Sequence, residues 1–168
     1  MGMQTDVKQG HLNNSGFVVL GRNRLKAAST VGTATAGTLD IFDTVTAPVS
    51  ATYERAATLI TVTKSAHGLA TGDVVGLAFA TASGSSGTNG NYVITRTGAN
   101  TFTVTDINSG TIAASTAAAY ATRWVASFDV GATDVFSNFA LIPGEGILVQ
   151  NGIYLNMSNL TSANVYYG

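Results

Sequence analysis

Short runs of alternating apolar and polar residues, separated by turn residues, extend along most of the chain. The runs are rich in Val, Ile, Thr, Phe and Tyr, and Gly or Asn interrupts them about every 8 to 12 residues, as is typical of an all-β sandwich or barrel. Helical periodicity is nearly absent, and the alanine-rich stretch 111–122 is predicted as a linker, a strand entry or one helical turn. The pattern predicts strands near residues 15–20, 23–29, 37–43, 58–63, 73–79, 91–97, 101–106, 123–129, 135–141, 146–150, 152–157 and 163–167.

Glycine, proline and asparagine mark the turns between these strands. Thr97–Asn100 is predicted as a short hairpin connection, and Pro143 with Gly144 suits the central positions of a type II turn. Gly146 then permits a bulge or a close backbone approach, and this segment lacks the lysine and the following helix of a phosphate-binding loop. Asn151–Gly152 is predicted as the centre of a type I′ hairpin turn.

The composition of the chain changes twice, and these changes predict its domains. Residues 44–57 lead out of the first strands, and residues 110–121 lead back into the last ones. We therefore expect an outer domain of residues 1–57 and 115–168, an antiparallel, jelly-roll-like β-sandwich, with a small β-module of residues 58–114 inserted into it. Within the outer domain, residues 1–14 are polar and are predicted to form a flexible arm that orders on a neighbouring molecule.

Charged residues make up only 10% of the 168 residues, below the roughly 25% of an average soluble domain. Because charge keeps proteins apart, such a surface favours association with other subunits. The net charge is −1, and the densest basic group, Arg22, Arg24 and Lys26, is interpreted as a solvated or interfacial strand face. We expect no nucleic-acid binding, because no broad basic patch with interleaved aromatic residues occurs.

The absence of cysteine excludes disulfides, thiolate zinc sites and cysteine nucleophiles. The first residues lack the apolar segment of a signal peptide, and no apolar run approaches the roughly 18 residues of a membrane-spanning helix. We therefore expect neither a secretion signal nor a membrane anchor.

One of the two histidines, His67, precedes Asp73 by six residues in the stretch SAHGLATGDVV. A catalytic His/Asp pair requires hydrogen-bond contact and an adjacent nucleophile, and Ser65 lies in no strained nucleophile elbow. Because HGL ends one predicted strand and TGD begins the next, both residues are interpreted as turn residues. We expect Asp73 to accept a backbone N–H and His67 to bind the loop backbone, and we predict no catalytic residue.

The remaining carboxylates offer no stronger site. Asp129 and Asp134 are candidate ligands for a calcium ion. Calcium normally collects about six to eight oxygens, and these two carboxylates are too few, so we predict no metal and no cofactor. Asp40 and Asp43 are interpreted as strand-edge and turn residues that protect a sheet edge from stray pairing.

Four aromatic residues have two interpretations. They can line a sugar-binding platform, or they can pack in the core or at a subunit interface, which is the commoner place for aromatic residues in a sandwich and is favoured here. These residues are Trp124, Phe128, Phe136 and Tyr154.

Two parts of the chain resemble phage virion proteins. Residues from about Leu59 to Ile112 contain HGL, TGD-x-V, NG-x-Y-x-I and an NTFT strand, and this pattern resembles a small β-module that recurs in virion proteins. That module is often compared with a catalytic-cysteine half-domain of ubiquitin-activating enzymes, whose chemistry a chain without cysteine cannot perform. The outer segments, with IPG-x-GI, NGIY and a terminal VYYG, resemble small structural proteins of tailed marine and cyanobacterial phages.

The resemblance implies a non-enzymatic virion component that is assembled in the host cytoplasm. We expect a capsid decoration or cement protein that forms a symmetric homo-oligomer, with a trimer as the expected state, on the lattice of the major capsid protein. The alternative is a tail or fibre component that binds a host surface receptor, with the inserted module as its tip. A hydrolase that uses His67 or Asp129 is the least favoured interpretation.

Overall fold

The computed structural model describes residues 7–81, 84–132 and 137–168, which form strands and turns and contain no helix. These residues accordingly include no helix that is long and apolar enough to cross a membrane. The all-β fold predicted from the alternation is confirmed. The chain divides into two compact units, a first unit of Met1–Ala47 with Val125–Gly168 and a second unit of Pro48–Trp124.

The strands are numbered in chain order. They are β1 (Lys8–Leu12), β2 (Gly16–Leu20), β3 (Asn23–Gly32), β4 (Gly37–Asp43), β5 (Val49–Ala56), β6 (Leu59–Thr63), β7 (Val74–Phe79), β8 (Gly90–Val93), β9 (Thr95–Arg96), β10 (Thr101–Thr105), β11 (Ile112–Ala121), β12 (Arg123–Val130), β13 (Ser137–Leu141), β14 (Ile147–Val149), β15 (Gly152–Ser158) and β16 (Leu160–Tyr167).

The first unit is an antiparallel sandwich of two sheets. Sheet A has the strand order β1-β16-β3-β13, with β14 also paired to β3, and sheet B has the order β12-β4-β15-β2. On β15 of sheet B burial alternates in the way the sequence predicted: Ile153 and Leu155 are fully buried, whereas Tyr154 between them is not. The core between the sheets is formed by Leu25, Ala28, Leu39, Ile41, Val149, Ile153, Leu155, Ala163 and Val165.

The second unit is one nearly closed, barrel-like sheet in the order β8-β7-β11-β5-β6-β10-β9. Its end strands, β8 and β9, are separated in the chain by Ile94 alone, so the predicted strand 91–97 is two short strands. The interior includes the aromatic side chains of Tyr53, Phe79, Phe102 and Tyr120.

The prediction of a flexible arm over residues 1–14 is wrong for Lys8–Leu12, which form β1. This strand pairs with β16 in antiparallel register, and the side chains of Gln9 and His11 both contact Asn164 Oδ1 at 2.8 Å. The polar composition that suggested an arm suits an edge strand whose side chains face water while its backbone is paired. Residues 1–6 lie outside the described residues.

Two segments interpreted as connections are strands that pair with each other. Val49–Ala56 is β5 and Ile112–Ala121 is β11, and a register shift interrupts their ladder between Ile112 and Thr116. Runs of alanine show no alternation of side-chain type, which is why β11 gave no strand signal. Both strands belong to the second unit, whereas the domain limits drawn at 58 and 114 assigned β5 and most of β11 to the outer domain.

One of the predicted turns is present in the predicted form, the hairpin connection at Thr97–Asn100. The N–H groups of Thr97 and Gly98 both donate to the Thr101 carbonyl, which closes the hairpin between β9 and β10. The turn after β13 differs from the prediction, because its central residues are Gly144 and Glu145 rather than Pro143 and Gly144. Gly144, with a φ of 69°, is therefore its first central residue, as in a type II′ turn. At Gly146 the close backbone approach is real, because a Cβ there would overlap the carbonyl oxygen of Leu25.

The predicted type I′ hairpin at Asn151–Gly152 is wrong. A type I′ turn needs positive φ at both central residues, and neither residue has one. The flanking strands do not pair with each other, since β14 pairs with β3 in sheet A and β15 pairs with β4 and β2 in sheet B. The Asn-Gly step therefore carries the chain from one sheet of the sandwich to the other.

Candidate interaction surface

His67 lies in the connection between β6 and β7, and both of its ring nitrogens bind backbone groups. The Leu69 N–H donates to Nδ1 over 3.1 Å, so Nε2 carries the proton and donates to the Gly98 carbonyl over 3.2 Å. The ring also meets the Phe102 ring edge-on at 5.3 Å. The predicted bonding of His67 to the loop backbone is confirmed.

Asp73 closes the turn that leads into β7. Its Oδ2 accepts the Ala70 N–H at 2.8 Å, and its own N–H donates to the Ala70 carbonyl at 3.1 Å. The prediction that Asp73 accepts a backbone N–H is confirmed. His67 and Asp73 thus bind different backbone groups rather than each other, and Ser65 is exposed.

The interpretation of Asp40 and Asp43 as guards of a sheet edge is wrong. Both lie on β4, which has β12 on one side and β15 on the other, and they are only 6% and 1% exposed. Asp43 accepts the backbone N–H groups of residues 150–152 at 2.9, 2.7 and 3.2 Å, and so holds the crossing between the sheets. Asp40 accepts the Ser127 hydroxyl at 2.7 Å.

The two carboxylates considered for calcium do not form a described site. Asp129 is exposed on β12, and Asp134 lies outside the described residues. Within residues 7–81, 84–132 and 137–168, no cluster of three or more His, Asp or Glu residues is arranged to hold a metal ion.

The four aromatic residues considered for a sugar platform have different surroundings. Phe128 packs against the core of the first unit, as the favoured interpretation expected, while Tyr154 meets Phe17 edge-on at 4.9 Å. Because β4 separates the strands of Phe128 and Tyr154, these two rings do not form one platform. Trp124 ends the second unit, with an indole N–H that is buried without a partner among the described residues, and Phe136 lies outside them.

The basic residues of β3 contact the turn before β14. Arg24 forms an ion pair with Glu145 at 3.1 Å, and the Lys26 ammonium donates to the Glu145 carbonyl at 2.8 Å. The Glu145 side chain is 82% exposed, so this is a solvated contact of small energetic weight.

A buried ion pair that the sequence analysis did not single out lies in the second unit. Arg55 on β5 and Asp106, just after β10, meet at 2.5 Å, and their side chains are 5% and 0% exposed. Arg55 also donates to the carbonyl oxygens of Ser86 and Gly110, and Asp106 accepts the N–H groups of residues 88 and 108. The pair therefore joins β5 to two segments that have no regular strand pairing, residues 86–88 and 106–110.

The charge of Asp106 is maintained inside the protein by these contacts. Burial raises the pKa of Asp106. Hydrogen bonds from the side chains of Thr88 and Arg55 and from two backbone N–H groups lower this pKa by more than burial raises it, so it lies below its ordinary value. The segment that follows Asp106 presents Ile107, which is 85% exposed. Nothing in the local sequence marks this pair, because Arg55 and Asp106 are far apart in the chain.

Apolar side chains stand on the outer face of sheet A. Phe139 and Leu141 on β13 are 61% and 70% exposed, and Phe139 meets Tyr166 of β16 at 5.8 Å. The register places Ala27 of β3 between Leu141 and Tyr166, so these residues share one face. We call Phe139, Leu141 and Tyr166 the outer apolar row. Alternation in the sequence predicted the strand β13, but it did not indicate which face of this strand is exposed to solvent.

The two sides of the sandwich differ. On the side of β1 and β2 the strands are in close contact, because a Cβ at Gly10 would overlap the Val18 side chain. On the side of β12 and β13 there is a cleft of about 290 Å³. Its polar lining residues are Thr30, Ser127, Asp129 and Asn138.

Comparisons with known proteins give no relative: no family model, curated protein or solved structure matches the chain.

Proposed function

We propose that this chain is a non-enzymatic structural protein of a tailed-phage virion, a capsid decoration or cement protein that assembles as a symmetric homo-oligomer on the major capsid lattice. The observation that carries this proposal is the outer apolar row, two of whose three residues lie on the uncharged edge strand β13. Only 10% of the residues of the chain are charged. Such a surface is stable in water chiefly when another protein covers it. The trimer expected from the sequence stays a prediction.

The apolar row supplies the driving force for assembly. Full burial of a Phe or Leu side chain contributes about 1.5–3 kcal/mol, so covering the exposed parts of Phe139 and Leu141 contributes roughly 2–4 kcal/mol for each subunit. This burial free energy adds up over a lattice of repeated contacts, which is how a cement protein stabilises a shell.

The contacts of the His67 and Asp73 pair support a non-enzymatic role. His67 and Asp73 each bind turn backbone. These groups have structural partners, and general acid–base chemistry requires a group within reach of a substrate proton.

The test is binding to capsids. Purified full-length protein is mixed with expanded capsids that lack it, and the bound amount and the temperature of capsid disruption are measured. We expect saturable binding in a fixed ratio to the major capsid protein and a higher disruption temperature. A copy number per virion typical of a tail component, or capsids that bind no protein, would contradict the proposal. Phe139→Ser should weaken the binding, and Leu20→Ser, at a similarly exposed position, is the matched control.

A second candidate is a tail or fibre component that binds a host receptor, and the cleft between β12 and β13 favours it. Hydroxyl, amide and carboxylate groups line this cleft beside Phe128, a combination that can bind the hydroxyls and the apolar face of a sugar. In this case the isolated protein adsorbs to host cells or to their surface glycans, and Asp129→Ala reduces adsorption. Glu54→Ala, another exposed carboxylate, serves as the control.

A further inference from the structure

The free side of β13 offers backbone groups for pairing. The Ile142 N–H donates to the Lys26 carbonyl on β3 at 2.9 Å. Because successive residues of a strand direct their backbone groups to opposite sides, Ala140 also faces β3, whereas Phe139 and Leu141 direct their N–H and C=O groups away from it. Since β13 is the end strand of sheet A, these groups have no strand partner among the described residues.

The end strands β1, β12 and β2 carry devices that discourage pairing. Lys8 lies on β1, and both Arg123 and Asp129 lie on β12. The pairing of β2 with β15 is interrupted between Ile153 and Tyr154, and such a bulge bends an edge. In contrast, Ser137–Leu141 has no charged residue, no proline and an unbroken register with β3.

We propose that β13 pairs with β13 of a second copy of this chain, antiparallel across a two-fold axis at Phe139. The inference rests on the proposed assembly function and names its subunit contact. The segment is complementary to itself: it is uncharged, so no like charges are opposed, and the outward backbone groups of Ser137 and Leu141 match those of the partner subunit's Leu141 and Ser137.

The side chains favour the same arrangement. Pairing at Phe139 joins sheet A of both copies into one continuous sheet, and it brings the two outer apolar rows side by side on the same face. Phe139 then stands opposite its own symmetry mate, and aromatic cross-strand pairs stabilise sheets. The two exposed rows then contact each other across the axis, and this contact removes part of their apolar area from water.

A two-fold contact closes with an even number of subunits. It therefore predicts a dimer, or a larger assembly of dimers, in place of the trimer expected from the sequence. Light scattering coupled to size-exclusion chromatography measures this number directly on the full-length protein.

A single introduced cysteine tests the position of the axis, because the natural chain contains none. Residues directly opposite each other in a hydrogen-bonded antiparallel pair have Cα atoms about 5.5 Å apart, which is within disulfide range. We expect Phe139→Cys to form a covalent dimer on mild oxidation, as seen on a non-reducing gel. Leu20→Cys, at a similarly exposed position on β2, should stay monomeric on that gel.

A proline variant separates edge pairing from apolar contact. Leu141→Pro removes an N–H that points away from β3 and leaves the pairing of Ala140 and Ile142 with β3 in place. We expect it to elute at the mass of one chain with an unchanged circular dichroism spectrum, while Leu141→Ala retains part of the dimer.

The outcomes distinguish this contact from the proposed function. A monomer at all concentrations, an odd number of subunits, or equal cross-linking of the two cysteine variants would overturn the β13 contact, and capsid binding would then decide the function alone. A dimer that cross-links through Phe139→Cys but does not bind capsids would uphold the contact and refute the decoration role.

Discussion

Removal of the Asp106 carboxylate is the sharpest test of what holds the second unit together. Asp106→Ala leaves the Arg55 guanidinium inside the protein without its counter-charge, and it removes the acceptor for the N–H groups of residues 88 and 108. Breaking a buried ion pair by removing one partner costs about 3–5 kcal/mol, because the remaining charge is buried and uncompensated. We expect a loss of this size in the free energy of unfolding of the second unit.

Urea denaturation measures this loss. Trp124 is the only tryptophan and belongs to the second unit, so its fluorescence reports the relevant transition, and circular dichroism follows the whole chain. Glu54→Ala is the matched control, because Glu54 is an exposed neighbour of Arg55 on β5 and should change the free energy by less than about 0.5 kcal/mol.

The double variant Arg55→Met with Asp106→Leu separates the ion pair from the other contacts. It removes both charges, so it should be destabilised by less than the sum of the single variants Arg55→Met and Asp106→Leu. If the free energy of unfolding of Asp106→Ala lies within about 0.5 kcal/mol of that of the natural chain, the ion pair does not stabilise this unit and the reasoning fails.

Acid should weaken the same contact. The pKa of Asp106 is lowered from 3.8, so its carboxylate contributes stability above its unfolded-state pKa, and that contribution is lost as the pH falls through the folded-state pKa, below 3.8. Asp106→Asn removes this titration, and its stability should fall less steeply below about pH 4. Equal acid dependence of the two proteins would refute this assignment.

Three further substitutions test other contacts. Asp43→Ala removes the acceptor for the N–H groups of residues 150–152 and should cost about 2–4 kcal/mol in urea denaturation of the first unit; a cost below about 1 kcal/mol would contradict the role of Asp43 at the crossing. Gly76→Ala places a Cβ against the backbone of Trp124, so it should destabilise the second unit by about 1–3 kcal/mol and shift the tryptophan emission, and unchanged emission would argue against the close approach. His67→Ala removes two hydrogen bonds to turn backbone and should cost about 1–2 kcal/mol, which thermal denaturation would detect.

The success of the strand predictions follows from where the alternation is strong. The predicted strand 101–106 is β10 at Thr101–Thr105, because threonine and apolar residues alternate there directly after a clear turn. Val49–Ala56 and Ile112–Ala121 were missed, because small or mixed side chains carry little periodic signal even when they lie on a buried sheet. Which strands pair with each other could not be predicted, for a different reason. Asn151–Gly152 has the local sequence of a hairpin turn, and only the pairing of its flanking strands in two different sheets shows that the chain crosses between the sheets there.

Acidic side chains show how the composition and the candidate surface are connected. Asp43, Asp73 and Asp106 each accept backbone N–H groups at irregular segments, where strands supply no partner. This role was predictable only for Asp73, whose partner Ala70 belongs to the same turn, whereas Asp43 binds the distant residues 150–152 and Asp106 binds Thr88 as well as the nearby Asn108. A chain with only 10% charged residues that directs its carboxylates to such positions has few left to guard its surface. The uncharged edge of β13 is a direct consequence, and it is also the feature that makes this strand available to a second chain.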